Sequence, residues 1–370
     1  MGYNDIKHVI RHFAFEGTYA SAEELTNGLI NNTYHLTYNQ GDGTTKDYVL
    51  QQINTYVFKK PEEVMSNIHR VTEHLADAVQ SSGQDVSRGV LHLISTTEGS
   101  WMYCDEQNRY WRAYDFISGT VAYDRAESPD MFREAGRAFG MFQRQLGSFP
   151  VAKLYETIPD FHDTRRRFFT FVDSVSKDRG GHVRALEKEI DFFFDRRKMM
   201  GEIVKMIDQN ELPMRVTHND TKMNNVMLDC KTGEAVCVID LDTVMPGSVL
   251  YDFGDAIRFG ASTALEDEPD TSKIALDMDL FRAFSEGFIS ETNGFLTERE
   301  LSLLPLGVKV IICEMAMRFL TDYIDGDVYF KTRYPDHNLV RARAQMALLE
   351  DVERRYDDMC ACIAEIRRKK

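Results

Sequence analysis

The chain has 370 residues, of which 43% are hydrophobic and 28% are charged, and its formal net charge is −15. This length allows one large domain or two ordinary ones, with enough apolar residues for a substantial core. The negative charge argues against nucleic acid as a partner, because the chain has no surplus of basic residues to displace counterions from a phosphate backbone.

The cysteines and the most apolar stretch indicate a cytoplasmic protein without a membrane partner. The six cysteines form neither a Cys-x-x-Cys pair nor a Cys/His zinc pattern, so reduced thiols are the simplest interpretation. The N-terminus lacks the basic start and apolar run of a signal peptide. The stretch from Leu303 to Leu320 contains a proline and three charged residues, which favours a core helix over a membrane span. The composition leaves the oligomeric state open.

The first third of the chain predicts a strand-rich lobe. Gly41-Asp-Gly43 separates two strand patterns, and Pro61 begins a helix with one apolar stripe. In chain order, the predicted elements are an amphipathic helix at 5–15, a loop and strand within 26–38, a strand at 47–54, a helix at 61–80, and strands at 91–95 and 110–116.

Two segments of this lobe are candidates for nucleotide binding. Asn27-Gly28 with Asn31 and Asn32 can place N–H groups and carboxamides over phosphates, and the same residues also fit an ordinary turn. The segment 111–117 runs into Ser118-Gly119 like a hinge strand that reads adenine, and it fits a plain buried strand equally well. The chain has no Walker A sequence, which argues strongly against the P-loop class.

From residue 118 onward the predicted elements are mostly helices. Helical patterns lie at 131–146, 184–210, about 278–290, 298–325 and 338–367. A strand-rich front, helices, a short hairpin and more helices fit a two-lobed, protein-kinase-like α+β enzyme. The predicted division is a nucleotide-covering lobe at 1–117 and a catalytic lobe at 118–370.

The hairpin at 215–242 carries the residues that point to a reaction. Its pattern is loop, strand, turn, strand, with Asp220, Asn225 and Asp240 at the strand ends. Phosphoryl transfer needs these residue types. One carboxylate accepts a hydroxyl proton, and a carboxamide and a second carboxylate hold Mg²⁺ against nucleotide phosphates. The sequence therefore predicts ATP and Mg²⁺ as cofactors.

The spacing His218-x-Asp220-x-x-x-x-Asn225 equals that of the protein-kinase catalytic loop. The triplet Asp252-Phe253-Gly254 resembles a metal-binding turn, but it lies too far downstream of Asp240 to close the hairpin. We therefore expect Asp252 to cap a helix or to brace the loop. A hairpin whose polar residues face water is the alternative, and the joint spacing argues against it.

These motifs resemble those of the aminoglycoside-phosphotransferase-like kinases, which share the protein-kinase fold, and are more similar to those of the N-acetylhexosamine 1-kinases. The block at 218–225 and 239–243 is common to the larger group. The resemblance to the sugar kinases covers roughly residues 10–365 and is most specific at 258–267 and 337–341. It also includes the segments 48–54, 161–164, 245–248, 252–262, 317–320 and 334–341.

The resemblance implies ATP-dependent phosphorylation of the anomeric hydroxyl of N-acetylglucosamine or N-acetylgalactosamine. It implies that Asp220 is the base and that Asn225 and Asp240 hold Mg²⁺. The residues that it implies for the sugar pocket are Asp242, Arg258, Phe259 and Arg318, although Arg318 also fits an i,i+4 pair with Glu314. We further assign Asn31 to the substrate. The residues that we assign to the nucleotide are Asn32, Gln52, Tyr114, Phe116 and Lys222.

Two positions depart from the kinase pattern. The strand that carries a phosphate-binding lysine in most kinases reads Leu50-Gln51-Gln52, so magnesium and Lys222 would have to neutralise the phosphates. Leu29 stands where we expect a polar side chain near the sugar, which leaves the choice of sugar open. Two alternatives therefore remain: a related kinase of another sugar, an amino alcohol or an aminoglycoside, and a catalytically silent binding protein.

Overall fold

The computed structural model describes residues 3–25, 30–292 and 294–369 of the chain. By their contacts they fall into two compact units. Unit 1 consists of Met1–Val121, Ser148–Ile158 and Met227–Met245, and unit 2 consists of Ala122–Gly147, Pro159–Val226 and Pro246–Lys370. These units are defined by contacts, whereas the predicted lobes at 1–117 and 118–370 are continuous in sequence, and the division into lobes stays a prediction.

A strand-rich N-terminal region is followed by a larger helical part, which confirms the α+β class. The strands are β1 (Thr18–Leu25), β2 (Asn32–Asn39), β3 (Thr45–Ile53), β4 (Leu93–Ile94), β5 (Tyr103–Cys104), β6 (Tyr110–Asp115), β7 (Thr120–Val121), β8 (Arg215–Thr217), β9 (Val226–Asp229), β10 (Ala235–Val238) and β11 (Met245–Gly247). The α-helices are α1 (Tyr3–Val9), α2 (Pro61–Ser81), α3 (Val86–Gly89), α4 (Pro129–Gln145), α5 (Thr164–Lys177), α6 (Glu187–Met200), α7 (Glu202–Asp208), α8 (Val249–Gly260), α9 (Met278–Thr292), α10 (Glu298–Asp325), α11 (His337–Arg354) and α12 (Tyr356–Arg368).

The main sheet of unit 1 has the strand order β1-β2-β3-β6-β4, with β5 paired to β6, and its pairs are antiparallel. Side chains alternate between the two faces of a strand. Leu36, Leu50 and Ala113 therefore lie on one face, where they join a buried cluster with residues of the N-terminal helix. Gln51 and Arg112, each one position away, point to the opposite face.

Helix α2 packs its apolar stripe within unit 1, as the sequence predicts, with Val64, Ile68 and Val71 buried. The buried Asn67 lies on the same helix. Its Nδ2 donates to the backbone oxygen of Val244 at 3.0 Å. Helix α2 is thus tied to the loop that follows β10.

The helices of unit 2 pack closely around α10. Helix α10 begins with a capping box, in which Thr297 and Glu300 satisfy each other's backbone N–H groups, and it packs against α8, α11 and α5. Gly254 of α8 and Gly307 of α10 allow two backbones to meet, because a Cβ at either position would overlap the backbone of the other helix. This contact fixes α8 against α10.

Some elements differ from the predicted ones. The helix predicted at 184–210 is divided at Gly201 into α6 and α7, consistent with the low helix propensity of glycine. The helix predicted at 338–367 is divided at Arg355, where no glycine or proline marks the break. Strand β1 and helix α5 were not predicted. The candidate turn Asn27-Gly28 and the departure at Leu29 lie outside the described residues. None of the helices in the described ranges is both long and apolar enough to cross a bilayer.

Candidate active site

The loop at 218–225 joins β8 to β9 and is shaped by its own sequence. Asn219 has φ of 64°, in the left-handed region that Asn and Asp tolerate better than other non-glycine residues. Met223–Asn225 then forms a single 3-10 turn that leads into β9. Polar residues therefore follow the apolar strand in a tight, non-repeating backbone.

Asp252 on α8 anchors the start of this loop through hydrogen bonds. Its two carboxylate oxygens accept the backbone N–H groups of His218 and Asn219 at 2.9 and 2.8 Å, and Gln143 donates to it at 2.7 Å. Burial raises the pKa of Asp252, although these donors oppose the shift. The predicted bracing role of Asp252 is confirmed, while Ser248 is the residue that caps α8.

A second carboxylate of α8 holds the middle of the loop. Asp255 accepts the backbone N–H of Thr221 at 3.1 Å, and the hydroxyl of Thr221 donates to the backbone oxygen of Asp252 at 2.6 Å. His218 is fully buried between the rings of Phe139 and Phe142. His218 is therefore enclosed by aromatic rings at the start of the loop.

Asp220, Lys222 and Asn225 form one polar group in unit 2. Lys222 Nζ lies 2.6 Å from Asp220 Oδ1, and Asn225 Nδ2 donates to the Asp220 backbone oxygen at 2.7 Å and to Oδ2 at 3.2 Å. Burial favours the neutral acid, but Lys222, with smaller effects of His218 and Asn225, brings the pKa of Asp220 below its usual value. Asp220 is therefore an ionised acceptor at neutral pH.

The donor set of this group fits a hard cation. Because the amide nitrogen of Asn225 is used by Asp220, its carbonyl oxygen Oδ1 is the atom that can face a metal ion. Magnesium prefers a small number of such oxygen ligands and keeps its other positions for phosphate and water. Among the described residues, no group of three or more His, Cys, Asp or Glu side chains is arranged for a metal ion.

The other predicted metal ligand, Asp240, lies in unit 1. It has φ of 59° and ψ of 60°, again in the left-handed region, and a 3-10 turn from Leu241 to Thr243 follows it. The next acidic residue, Asp242, is 4% exposed and pairs with Nη1 of Arg112 through Oδ1. Its Oδ2 accepts a 2.7 Å hydrogen bond from Nδ2 of Asn31. Both carboxylate oxygens of Asp242 are thus occupied within unit 1.

The sequence also matches a known protein family over most of its length. Residues 21–283 match the model of the phosphotransferase enzyme family, APH. The chain belongs to this family. Its catalytic-loop motif and the chemistry of its polar residues agree with that membership.

Three solved structures are similar to this family member. A microcompartment-associated aminopropanol kinase has a TM-score of 0.61 at 14% identity, covering 97% of this chain and 98% of its own. An amicoumacin kinase in complex with AMP-PNP and Ca²⁺ has a TM-score of 0.55 at 12% identity, covering 94% and 96%. An ethanolamine kinase from Plasmodium vivax has a TM-score of 0.53 at 12% identity, covering 88% and 82%. These similarities confirm the kinase-like fold.

Two of the predicted sugar-pocket residues are neighbours on α8 of this phosphotransferase. Arg258 is buried and pairs with Asp255 at 2.9 Å and with Glu266 at 2.7 Å. Burial opposes the charge of Arg258, but the two carboxylates raise its pKa. Phe259 is half-buried, and Nζ of Lys222 lies 5.9 Å from its ring centroid. Their contact with substrate stays a prediction.

Arg318 on α10 lies in a second cluster of unit 2. It is 3.5 Å from Glu314, so the predicted i,i+4 pair is present. Its guanidinium lies 5.3 to 5.9 Å from three aromatic ring centroids, those of Phe161, Tyr329 and Phe330. Burial works against the charge of Glu314, but His162 and Arg318 lower its pKa. Arg318 is therefore held between a carboxylate and aromatic faces.

Of the predicted nucleotide residues in unit 1, Asn32, Gln52 and Tyr114 lie on β2, β3 and β6, and Phe116 directly follows β6. Asn32 on β2 donates to Oε1 of Gln52 on β3 at 3.1 Å, at the exposed side of the sheet. Tyr114 is buried against the guanidinium of Arg112, and Phe116 packs on the ring of His35. Their contact with nucleotide stays a prediction.

The sequence interpretation missed Arg112. Its side chain is 1% exposed on β6 and bonds to Gln51 and Asp242. One signal in the sequence was available, since Arg112 is a charged residue between apolar neighbours in a predicted buried strand. A charge at such a position must have a partner. Glu266 was also missed, because its partner Arg258 was assigned to the sugar alone.

Proposed function

We propose that this protein is an ATP-dependent anomeric sugar kinase that phosphorylates the 1-hydroxyl of N-acetylglucosamine or N-acetylgalactosamine. The observation that carries the proposal is Asp220, held ionised by Lys222 and Asn225 on a loop that two carboxylates of α8 brace. A carboxylate placed in this way accepts the proton of a substrate hydroxyl during phosphoryl transfer.

The basicity of Asp220 matches the acidity of the proposed substrate hydroxyl. The lowered pKa makes Asp220 a weak base, and an anomeric hydroxyl is more acidic than an ordinary alcohol, so a weak base is sufficient. The proposed Mg²⁺ ligands are the amide oxygen of Asn225 and the carboxylate of Asp240, and the bound ion would supply positive charge for the nucleotide phosphates. The protein's own contribution is mainly to orient the hydroxyl and to hold its proton acceptor.

The charge around Arg318 supports a neutral sugar as the substrate. Arg167 lies in the same cluster, and burial together with the neighbouring Arg318 lowers its pKa. Glu314 and Asp160 are the carboxylates that oppose them, and both are already paired, Glu314 with His162 at 3.1 Å and Asp160 with Arg166 at 3.0 Å. A substrate ammonium group would be repelled by Arg318 and Arg167, whereas the apolar face of a sugar could pack on the aromatic rings around Arg318.

One buried nitrogen of this cluster has no hydrogen-bond partner among the described residues, and this also supports a polar ligand. This atom is Nε2 of His162. Buried polar atoms are nearly always hydrogen-bonded, either to protein or to another polar group. A sugar hydroxyl or an acetamido group would satisfy it once the side chains that cover this atom moved aside to admit the ligand.

The second candidate is an amino-alcohol kinase. Two of the similar structures are an aminopropanol kinase and an ethanolamine kinase, and this observation favours it. The identities of 14% and 12% support a common fold without fixing the substrate. The cationic surroundings of Arg318 argue against an amine.

A substrate panel tests the proposal. Purified protein with ATP and Mg²⁺ is offered N-acetylglucosamine, N-acetylgalactosamine, glucose, galactose, ethanolamine and 1-amino-2-propanol, and ADP formation is measured. We expect the fastest turnover with an N-acetylhexosamine and a phosphate ester on C1, located by NMR of the product. Turnover of an amino alcohol with neither N-acetylhexosamine accepted would contradict the sugar assignment.

A further inference from the structure

The cation that is absent from positions 50–52 of β3 is present on the neighbouring strand. In the β3–β6 register, Gln51 lies opposite Arg112, and the side chains of such a pair point to the same face of the sheet. Kinases commonly place a lysine on β3 for the nucleotide phosphates. Here the carboxamide of Gln51 lies on β3, and Arg112 lies at the paired position on β6.

The contacts of Arg112 show that it does not serve the phosphates directly. Nε and Nη2 both donate to Oε1 of Gln51, at 3.0 and 2.8 Å, while Nη1 donates to Oδ1 of Asp242. With a side chain that is 1% exposed, Arg112 has its donors turned inward to other protein groups. A residue that binds phosphate directly needs N–H donors that are accessible from the surface.

Its partner Asp242 is held from two sides. Asn31 donates to the second oxygen of Asp242 at 2.7 Å, and Oδ1 of Asn31 accepts the backbone N–H of Asn54 at 3.0 Å. Separate donors on its two oxygens, one of them a guanidinium, fix the position and orientation of this carboxylate. Asp242 is therefore an anchor point for the backbone around it.

That backbone includes Asp240, two residues earlier. A non-glycine residue in the left-handed region persists only where its surroundings hold it there. The turn that begins at Asp240 is tied at Asp242 by Arg112, and after it Val244 is tied by Asn67 of α2. Two buried tethers therefore act on the residues that directly follow Asp240.

We propose that Arg112 is a positioning residue for metal binding: by clamping Asp242 against Gln51, it holds Asp240 in the backbone conformation that presents its carboxylate to the metal ion of the nucleotide complex. In place of a lysine at positions 50–52 of β3, a buried cation on β6 would act on the turn that follows Asp240. This inference rests on the proposed function, in which Asp240 is a ligand of that ion.

The test measures metal binding directly, with Mn²⁺ and ADP as the probe and electron paramagnetic resonance as the readout. R112M removes the charge while keeping an unbranched chain. We expect Mn²⁺ to bind the R112M–ADP complex roughly 10- to 100-fold more weakly than the wild-type complex, the loss that removal of an outer-shell partner typically causes. R109M is the matched control, because Arg109 is on the same hairpin and pairs with Asp105, away from Asp242. It should bind Mn²⁺ as the wild type does.

Two double variants separate positioning from general stability. R112M leaves Asp242 buried without its cation, whereas R112M/D242N removes both charges, so thermal stability should recover in the double variant. We expect its Mn²⁺ affinity to stay low, since the clamp is still absent. Q51K/R112M returns a cation to β3 and should regain part of the affinity.

The outcomes are distinct. If R112M binds Mn²⁺ as tightly as the wild type, or if R112M/D242N regains both stability and affinity, Arg112 has no positioning role. If the wild type itself binds no Mn²⁺ with ADP, the proposed function fails, and the inference about Arg112 fails with it.

Discussion

Lys222 and Asp220 form an ion pair two residues apart in the chain, with Nζ 2.6 Å from Oδ1. This pair predicts how activity depends on pH. In K222M the lowering effect of the ammonium is gone and burial still favours the neutral acid, so the pKa of Asp220 should rise. Since the ionised form accepts the proton, the acidic limb of kcat/KM should move to higher pH, by roughly one to three units. A profile of kcat/KM against pH measures this.

K222R is the control for this experiment, because it keeps the charge. Its acidic limb should stay close to that of the wild type. An acid with a lowered folded pKa stabilises the fold above its unfolded pKa and loses this contribution as pH falls through the folded value. The difference in unfolding free energy between wild type and K222M should therefore shrink in acid. Identical pH profiles for K222M and wild type would exclude Asp220 as the titrating base.

Replacing the proposed base should affect turnover without affecting the fold. D220N is isosteric, and its amide cannot accept the hydroxyl proton, so kcat should fall by roughly 10²- to 10⁴-fold. Calorimetry should show sugar binding within a few-fold of the wild type. D195N, which changes an exposed residue of α6, is the matched control and should keep full activity. Normal turnover by D220N would show that another group accepts the proton.

The loop at 218–225 should depend on Asp252 for both stability and rate. D252N turns one acceptor oxygen into a donor, which then faces the backbone N–H of either His218 or Asn219. A buried donor without an acceptor typically costs about 1–3 kcal/mol. We expect urea denaturation to show a loss of that size, accompanied by a lower kcat. A variant with full stability and reduced kcat would mean that Asp252 takes part in the reaction.

Replacing Arg318 should weaken binding of the sugar and leave binding of ATP unchanged. R318M removes a cation that can donate to the sugar, and hydrogen bonds to charged groups contribute about 1.5–3 kcal/mol. The KM for the N-acetylhexosamine should therefore rise roughly 10- to 150-fold, while the KM for ATP stays unchanged. R166M is the matched control, because Arg166 is an exposed residue of unit 2 that pairs with Asp160. Equal rises in both KM values would point to a structural role of Arg318.

The contact between α8 and α10 should be intolerant of a single methyl group. G254A places a Cβ against the backbone of Gly307, which neither helix can accept without moving apart. Overpacking of this kind costs about 1–3 kcal/mol. G41A is the matched control, because Gly41 lies at a turn where an added Cβ meets open space. Gly294 is less suitable, because its positive φ would strain an alanine there. The midpoint of thermal unfolding measures both variants.

Much of the fold was predictable from local patterns in the sequence. The apolar stripe of α2 and the alternation along β3 and β6 each reflect one buried face, and such periodicities identify helices and strands. The break at Gly201 was missed because the charged, amphipathic pattern continues on both sides of it. Strand β1 was missed because its side chains are mostly exposed and carry no alternating apolar signal.

The proposed base and its loop were predictable because their spacing lies within one short segment. The partners of these residues were harder to find. Asp252 and Asp255 reach the loop from more than thirty positions away, and Arg112 meets Asp242 across 130 positions. Such contacts depend on tertiary packing, which a single sequence does not specify. Arg112, a charged residue between the apolar Trp111 and Ala113, was the one local sign that a distant partner had to exist.

Helix α10 carries Arg318, a proposed sugar ligand, and also positions α8, and this limits how the proposed selectivity could be changed. It carries Arg318 and Glu314, and through Gly307 it also sets the position of α8, which supports the loop of Asp220. A shift of α10 that made room for a bulkier acceptor beside Arg318 would therefore also displace Asp220, the proposed proton acceptor. We therefore expect new acceptors to be accommodated by exchanging side chains on α10 without moving the helix. Redesigns that slide or tilt α10 should lower kcat before they widen the range of substrates.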